Sequence, residues 1–305
     1  MRSVTWAILL LALGVMSCKN STEPDEKTLT PVKDTLAFTY DSVATFTTSQ
    51  SIMLCGNSQN IFIYGAYGNL SIYNIASRTV TDHSTLSDTL SWRWDGAFVS
   101  VDTSMYIFAL PAPNRPAYSK VLLFNQQTYR VTATAAPFPF SLGLDPAYGV
   151  FGKKIALLYS SYDSLYVFDT STMTGGFVAQ NKLKYPGNAY SSCVYQNGLY
   201  IFVDYYMKFY RVDLQNYSWQ EIVIPDSIQS NIDTYAQGGM LGNKFCLFNN
   251  PDRPGTTVAF DLTTQKWQVG APNKKMKLGV WYSNNTSLYV STEDYTTLWK
   301  VSLSQ

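Results

Sequence analysis

The sequence predicts an all-β fold: a six-bladed β-propeller of four-stranded blades, closed by a strand from the N-terminal side. Three observations predict it. An apolar run recurs six times, as Ile61-Phe62-Ile63-Tyr64, Met105-Tyr106-Ile107-Phe108, Ile155-Ala156-Leu157-Leu158, Leu199-Tyr200-Ile201-Phe202, Phe245-Cys246-Leu247-Phe248 and Leu288-Tyr289-Val290-Ser291. Successive runs start about 45 residues apart, the period of propellers and related arrays of strands. A second landmark follows each run in phase, and a short run rich in small residues precedes each one. Two landmarks in phase make chance alternation a poor explanation.

Each unit is built in the same order. The innermost strand comes first: Ser51–Cys55, Ala97–Ser100, Tyr148–Phe151, Ser192–Tyr195, Gly238–Leu241 and Leu278–Trp281. Small residues suit an axis where six units crowd together. The apolar run is the second strand. The third ends at Asn74, Asn125, Asp169, Asp213, Asp261 or Ser302. In the first five, the side chain can bond the backbone two residues on and start a tight turn. Six positions later stand Val80, Val131, Trp219 and Trp267. These mark a fourth strand returning as a hairpin and burying one side chain. The third unit reads as two positions longer, with Gly175 and Gly176 before Phe177. Four strands at this period make a propeller blade.

The last unit stops at Gln305 after its third strand. Thr35–Tyr40 alternates as a strand should and is expected to supply the missing one. An open ring would leave an unpaired sheet edge, which invites aggregation. The domain therefore spans 35–305.

The aromatic second strands, the Tyr/Phe-Asp ends of the third strands and the placing of Trp219 and Trp267 resemble Kelch-type propellers. The resemblance covers Thr35 to the C-terminus. It departs from the family pattern after the second strand, where paired glycines are missing and only Gly65 lies nearby. A WD40 pattern fits less well, because the sole histidine, His83, follows Asp82 rather than glycine.

Residues 1–17 read as a lipoprotein signal peptide. Arg2 is basic, and Val4–Met16 is apolar but short for a bilayer span. Val15-Met16-Ser17-Cys18 resembles a bacterial lipobox, which implies cleavage before Cys18 and its lipidation. Residues 18–34 are then the lipidated cysteine and a polar tether that cannot bury enough surface to fold. The absence of Asp directly after Cys18 resembles lipoproteins sent to the outer membrane, facing the periplasm or the cell surface. The acidic cluster Glu23, Asp25 and Glu26 resembles surface-exposed lipoproteins of the Bacteroidota.

The chain of 305 residues carries 22 basic and 21 acidic residues, and loss of Arg2 with the leader leaves 21 of each. Neutrality argues against nucleic acid, which demands clustered Lys and Arg. It leaves the N-terminal lipid as the contact with the membrane. Cys55, Cys193 and Cys246 fall in inner strands of different units, without zinc spacing. They are expected to be buried thiols. One histidine cannot supply the two imidazoles of a Kelch-type copper-radical oxidase. No phosphate loop, Gly-x-Ser-x-Gly elbow or CxxC is present. No cofactor or metal is expected.

Carboxylates free of turn duty include Asp95, Asp145, Asp163, Asp204, Asp252, Glu293 and Asp294. A glycosidase needs two at a defined separation, and nothing in the sequence selects a pair. Asp95, beside an inner strand, is the best single candidate, with Arg93 or Lys153 as a partner. Aromatics are more informative. Loops joining second to third strands share one face with the connections between blades. The former carry Tyr67, Tyr118, Tyr162, Tyr205 with Tyr206, and Tyr295. Trp92, Arg93, Trp94, Arg115 and Arg253 fall on the same face. Tyrosine presents a flat apolar ring with a polar tip, suited to sugars or peptides; with 23 tyrosines in the chain, some also brace loops. The expected function is binding of a glycan or an envelope protein through this face, without catalysis. A sugar-modifying enzyme (epimerase, lyase or glycosidase) with a channel acid–base pair is the alternative, and a purely structural envelope subunit is the third reading.

Overall fold

The structure, a computed structural model, describes residues 36–46, 51–65, 70–83, 96–109, 120–126, 128, 130–137, 146–158, 164–180, 190–204, 206–234, 236–248, 256–272, 278–284, 286–292 and 296–304. The N-terminal strand is β1 (Phe38–Thr45). Blade 1 holds β2 (Ser51–Gly56), β3 (Asn60–Gly65), β4 (Leu70–Asn74) and β5 (Thr79–His83). Blade 2 holds β6 (Gly96–Val101), β7 (Ser104–Ala109), β8 (Lys120–Asn125) and β9 (Arg130–Pro137). Blade 3 holds β10 (Ala147–Phe151), β11 (Lys154–Leu158), β12 (Ser164–Asp169) and β13 (Thr174–Gln180). Blade 4 holds β14 (Tyr190–Tyr195), β15 (Gly198–Val203), β16 (Lys208–Asp213) and β17 (Trp219–Ile222). A short helix, α1 (Asp226–Gln229), leads to blade 5, made of β18 (Gln237–Leu241), β19 (Lys244–Phe248), β20 (Thr256–Asp261) and β21 (Lys266–Pro272). Blade 6 holds β22 (Leu278–Ser283), β23 (Leu288–Thr292) and β24 (Thr297–Leu303). Its fourth strand is β1, so six antiparallel sheets of four strands result.

The predicted closure holds, with a shifted boundary. β1 pairs antiparallel with β24 from Phe38 opposite Leu303 to Thr45 opposite Thr297. Leu36, just before it, makes a parallel bridge to Gly270 of blade 5. The innermost strands β2, β6, β10, β14, β18 and β22 neighbour one another in a ring that returns to β2.

The core lies between blades. Six apolar clusters occupy the six blade–blade interfaces. On β3, Ile61 and Ile63 pack toward blade 6, whereas Phe62 and Tyr64 pack toward blade 2. Both faces of each second strand are thus covered. This is why its sequence is a continuous apolar run instead of an alternation. Toward the axis, small residues let blades approach. A Cβ on Gly149 would lie 2.2 Å from Val194 Cγ2 of the next blade. Serine hydroxyls bridge the inner strands: Ser192 Oγ donates to the Tyr148 carbonyl and accepts its N–H, each at 2.9 Å, and Ser191 Oγ accepts the Gly238 N–H at 3.0 Å.

The third-to-fourth-strand turns follow the Asn/Asp pattern. Asn74 Oδ1 accepts the N–H of Ala76 and Ser77, Asp169 that of Ser171, Asp213 that of Gln215, and Asp261 those of Thr263 and Thr264 at 3.0 and 2.8 Å. Each of these turns ends in a left-handed residue four positions after the Asn or Asp: Arg78, Met173, Tyr217 and Gln265. Two expectations are corrected here. The third blade has no insertion. Its turn has the common length, and Gly175 pairs with Phe168 as Val80 pairs with Tyr73 and Trp267 with Phe260. Nor does the fourth strand bury its marker residue. Val80, Val131, Trp219 and Trp267 are half-buried, and Phe177 is 49% exposed, because these strands form the circumference.

Candidate functional site

The hairpin order gives the propeller two unlike faces. On one, which we call the turn face, lie the turns between first and second strands and those between third and fourth. Four of the former are two-residue turns opened by a left-handed residue: Asp102, Gly152, Gln196 and Gly242. The two sets of turns bond each other within a blade. The Thr170 N–H donates to the Lys153 carbonyl at 2.9 Å, Leu214 to Asn197 at 2.7 Å and Leu262 to Asn243 at 2.8 Å. They also bond across blades: Asn57 Nδ2 donates to Gln126 Oε1 at 2.9 Å, and the Tyr195 and Thr263 hydroxyls lie 2.9 Å apart. Lys153 forms an ion pair with Asp102 here. Asp95, its suggested channel partner, lies outside the described residues.

The other face, the loop face, carries every connection from second to third strand and every connection between blades. They include the ten positions between Ala109 and Lys120 and the fourteen between Ile222 and Gln237. Among the described residues, blade 4 supplies its best-defined part. The Met207 N–H donates to the Asp204 carbonyl at 3.0 Å, closing a turn whose last residue is left-handed, with φ 47°. Asp204 is buried, and Tyr206 is lifted to 43% exposure. Beside it Lys208 Nζ bonds Glu221 Oε1 at 2.6 Å. The connection to blade 5 is anchored from below by Ile224, Ile228, Ile232 and Ala236, buried against Phe209 and Phe260. Trp267 Nε1 donates to the Val223 carbonyl at 3.0 Å while the Val223 side chain stands 76% exposed. Asn231 Nδ2 caps the Ser227 carbonyl at 2.7 Å, and its Oδ1 accepts from the Thr256 hydroxyl at 3.2 Å. This edge therefore rests on a buried apolar base and exposes Tyr206 and Val223.

Of the residues expected to bind, Tyr206 is the one described, and it is exposed. Tyr67, Trp92, Arg93, Trp94, Tyr118, Tyr162, Tyr205, Arg253 and Tyr295 lie outside the described residues. So do Arg115, Asp95, Asp145, Asp163, Asp252, Glu293, Asp294 and Cys18. Val223 was missed. A single valine after a short strand carries no sequence signal, and its exposure follows from the Trp267 bond to its carbonyl.

Cys55, Cys193 and Cys246 are free and buried. Burial pushes all three thiols up, Cys246 to about 12, so they stay protonated and unreactive as nucleophiles. Burial also raises Tyr282 and Tyr64. Among the described residues no group of three or more His, Cys, Asp or Glu could hold a metal ion. No helix among them is long and apolar enough to cross a membrane.

No protein family and no curated protein matches the sequence. Solved structures do match the fold. A structural genomics protein of unknown function from Bacteroides thetaiotaomicron VPI-5482 superposes with TM-score 0.62 at 7% identity, covering 88% of this chain and 76% of that one. YjhT superposes with TM-score 0.64 at 10% identity, covering 85% and 96%. The extracellular domain of BT4673 from B. thetaiotaomicron, described as a hybrid two component system, gives TM-score 0.54 at 15% identity. The match covers 84% of this chain and 33% of that one, so the chain spans a third of its length. At these identities the likeness establishes the β-propeller fold and nothing finer.

Proposed function

We propose that this chain is a recognition module: a Kelch-type propeller, lipid-tethered through Cys18 at the outer membrane, that holds a glycan or a partner protein on its loop face without catalysis. One observation carries the reading. The two faces are built to different ends. The turn face consists of short turns bonded to one another within and between blades, which leaves little for a ligand to use. The loop face holds the long connections, and where its surface is defined it raises Tyr206 and Val223 on an anchored base. Loops held by a rigid scaffold are where binding residues concentrate, and tyrosine gives large contact area at low entropic cost. The extracellular placing of one structural neighbour is compatible with the lipobox.

The test is a glycan-library and envelope-extract binding screen with mass-spectrometric and chromatographic readout of any product. The expected result is binding without turnover. Replacing Tyr206 by Ala is expected to weaken that binding about tenfold, an effect of about 1.4 kcal/mol. Unchanged affinity after joint replacement of Tyr162, Tyr205 and Tyr206 would remove the loop-face assignment. A product would replace the module reading by an enzyme.

A further inference from the structure

We propose that β13, the outermost strand of blade 3, is a self-association edge at which two copies of this chain pair antiparallel about a two-fold axis through Phe177. Each outermost strand of a propeller has one strand partner in its own sheet and presents its other edge outward. Such edges are commonly blunted by charge, proline or shortness. Five of the six here follow that rule. β1 contains Asp41, β5 Asp82, β9 Arg130 and Pro137, and β21 Lys266 and Pro272; β17 has only four residues, one of them Glu221. β13 reads Thr-Gly-Gly-Phe-Val-Ala-Gln. It is seven residues long, without charge and without proline.

Among the described residues it is also the most exposed strand of its kind, with every residue except Ala179 on the surface. Leu165 pairs with Ala179 and Tyr166 with Phe177, so Val178 is the extra residue of a bulge. A bulge breaks strict face alternation, and two consecutive apolar side chains, Phe177 at 49% and Val178 at 39%, are exposed together. Only two other large apolar residues among those described are exposed, Tyr206 and Val223, and both lie in loops.

The occupant follows from charge. A strand bearing ionised residues would find no counter-charge along β13. The strand's own sequence answers it. Antiparallel pairing about Phe177 sets Phe177 against Phe177 of the second copy, Gly176 against Val178, Gly175 against Ala179 and Thr174 against Gln180. No like charges meet, and an aromatic pair stands at the centre. Gly175 and Gly176 let the second backbone approach. The contact is isologous and closes at two copies.

The test uses the full chain in detergent. Phe177→Cys under mild oxidation is expected to give a disulfide-linked dimer; the unsubstituted chain and Val223→Cys, exposed on another blade, measure background from the native thiols Cys55, Cys193 and Cys246 and from random encounter. Sedimentation is expected to give twice the mass of a single chain, returning to a single mass in Val178→Lys. A single mass for the unsubstituted chain overturns the proposal. So does linkage at residue 177 no greater than at 223, or a dimer indifferent to Val178→Lys. If the lysine variant loses its β-sheet signal, the first two measurements decide.

Discussion

In blade 5, the position six residues past the turn carboxylate Asp261 is Trp267; in blade 3, six past Asp169, it is Gly175. The hairpins are otherwise alike in turn length and in the left-handed residue that ends the turn. The Trp267 ring packs edge-on at 5.3 Å from Phe209 of blade 4 and tilted at 5.0 Å from Phe260, and its Nε1 donates to the Val223 carbonyl. One outer residue thus ties blade 5 to blade 4 and to the connection between them. In blade 3 the bulk is on the other strand. The Tyr166 ring lies over Gly175 and donates its hydroxyl to the Pro137 carbonyl of blade 2 at 3.2 Å. Both arrangements bind a blade to the one before it. The difference is which strand supplies the ring that reaches the preceding blade; on β13 the one large aromatic, Phe177, packs edge-on against Tyr166 at 5.6 Å and stays 49% exposed.

The largest expected effect comes from removing the tie in blade 5. Trp267→Ala deletes two aromatic contacts and one hydrogen bond at a half-buried site. It is expected to cost about 3 kcal/mol in urea unfolding and to loosen the 223–236 connection, read as faster amide exchange at Ile228 and Ile232. A loss below about 1 kcal/mol would mean that Trp267 packs on the blade without holding it.

The second effect separates the two turn carboxylates. Burial raises the pKa of Asp261, but the Lys244 ammonium at 2.8 Å and the Thr264 N–H outweigh it and hold the carboxyl down at about 2. A folded pKa below the unfolded value near 3.8 means stability present above about pH 4 and lost as pH falls toward 2. The contribution is about 2 kcal/mol. Asp261→Asn is expected to flatten stability across that window and to lower it by a similar amount at pH 7, measured by urea titration at each pH. Asp169, on the surface, is lowered chiefly by the Ser171 hydroxyl and backbone N–H, with smaller help from the Thr172 N–H and the Lys154 charge. Asp169→Asn is expected to flatten the acid limb in the same direction but by less than Asp261→Asn.

These contrasts mark where sequence reading reaches and where it stops. Six units, four strands in each and the N-terminal closing strand are legible because both faces of every second strand are buried and print a continuous apolar run. The turn start is legible from Asn or Asp. The turn end is not: Arg78, Met173, Tyr217 and Gln265 take the left-handed conformation without being glycine. Lacking that marker, the pair Gly175-Gly176 reads as a longer loop when it belongs to the strand. The site is legible only as a face. Strand order alone puts Tyr206 among the loops opposite the turns, but its exposure depends on the Asp204–Met207 bond, which no residue pattern announces.

The smallest expected effect is the sharpest test of the blade 3 arrangement, because adjacent glycines should respond with opposite sign. A Cβ on Gly175 would lie 2.1 Å from the Tyr166 hydroxyl oxygen, and Tyr166 is buried and bonded to blade 2. Gly175→Ala must push the ring aside and is expected to cost about 1 kcal/mol. A Cβ on Gly176 meets nothing within 4 Å. Gly176→Ala removes glycine's excess freedom from the unfolded chain and is expected to stabilise by about 0.5 kcal/mol. Both are read from urea midpoints at dilute protein, where association does not contribute. Equal responses would mean that the ring does not rest on Gly175, and the exposed character of β13 would then need another cause than the side from which its bulk is supplied.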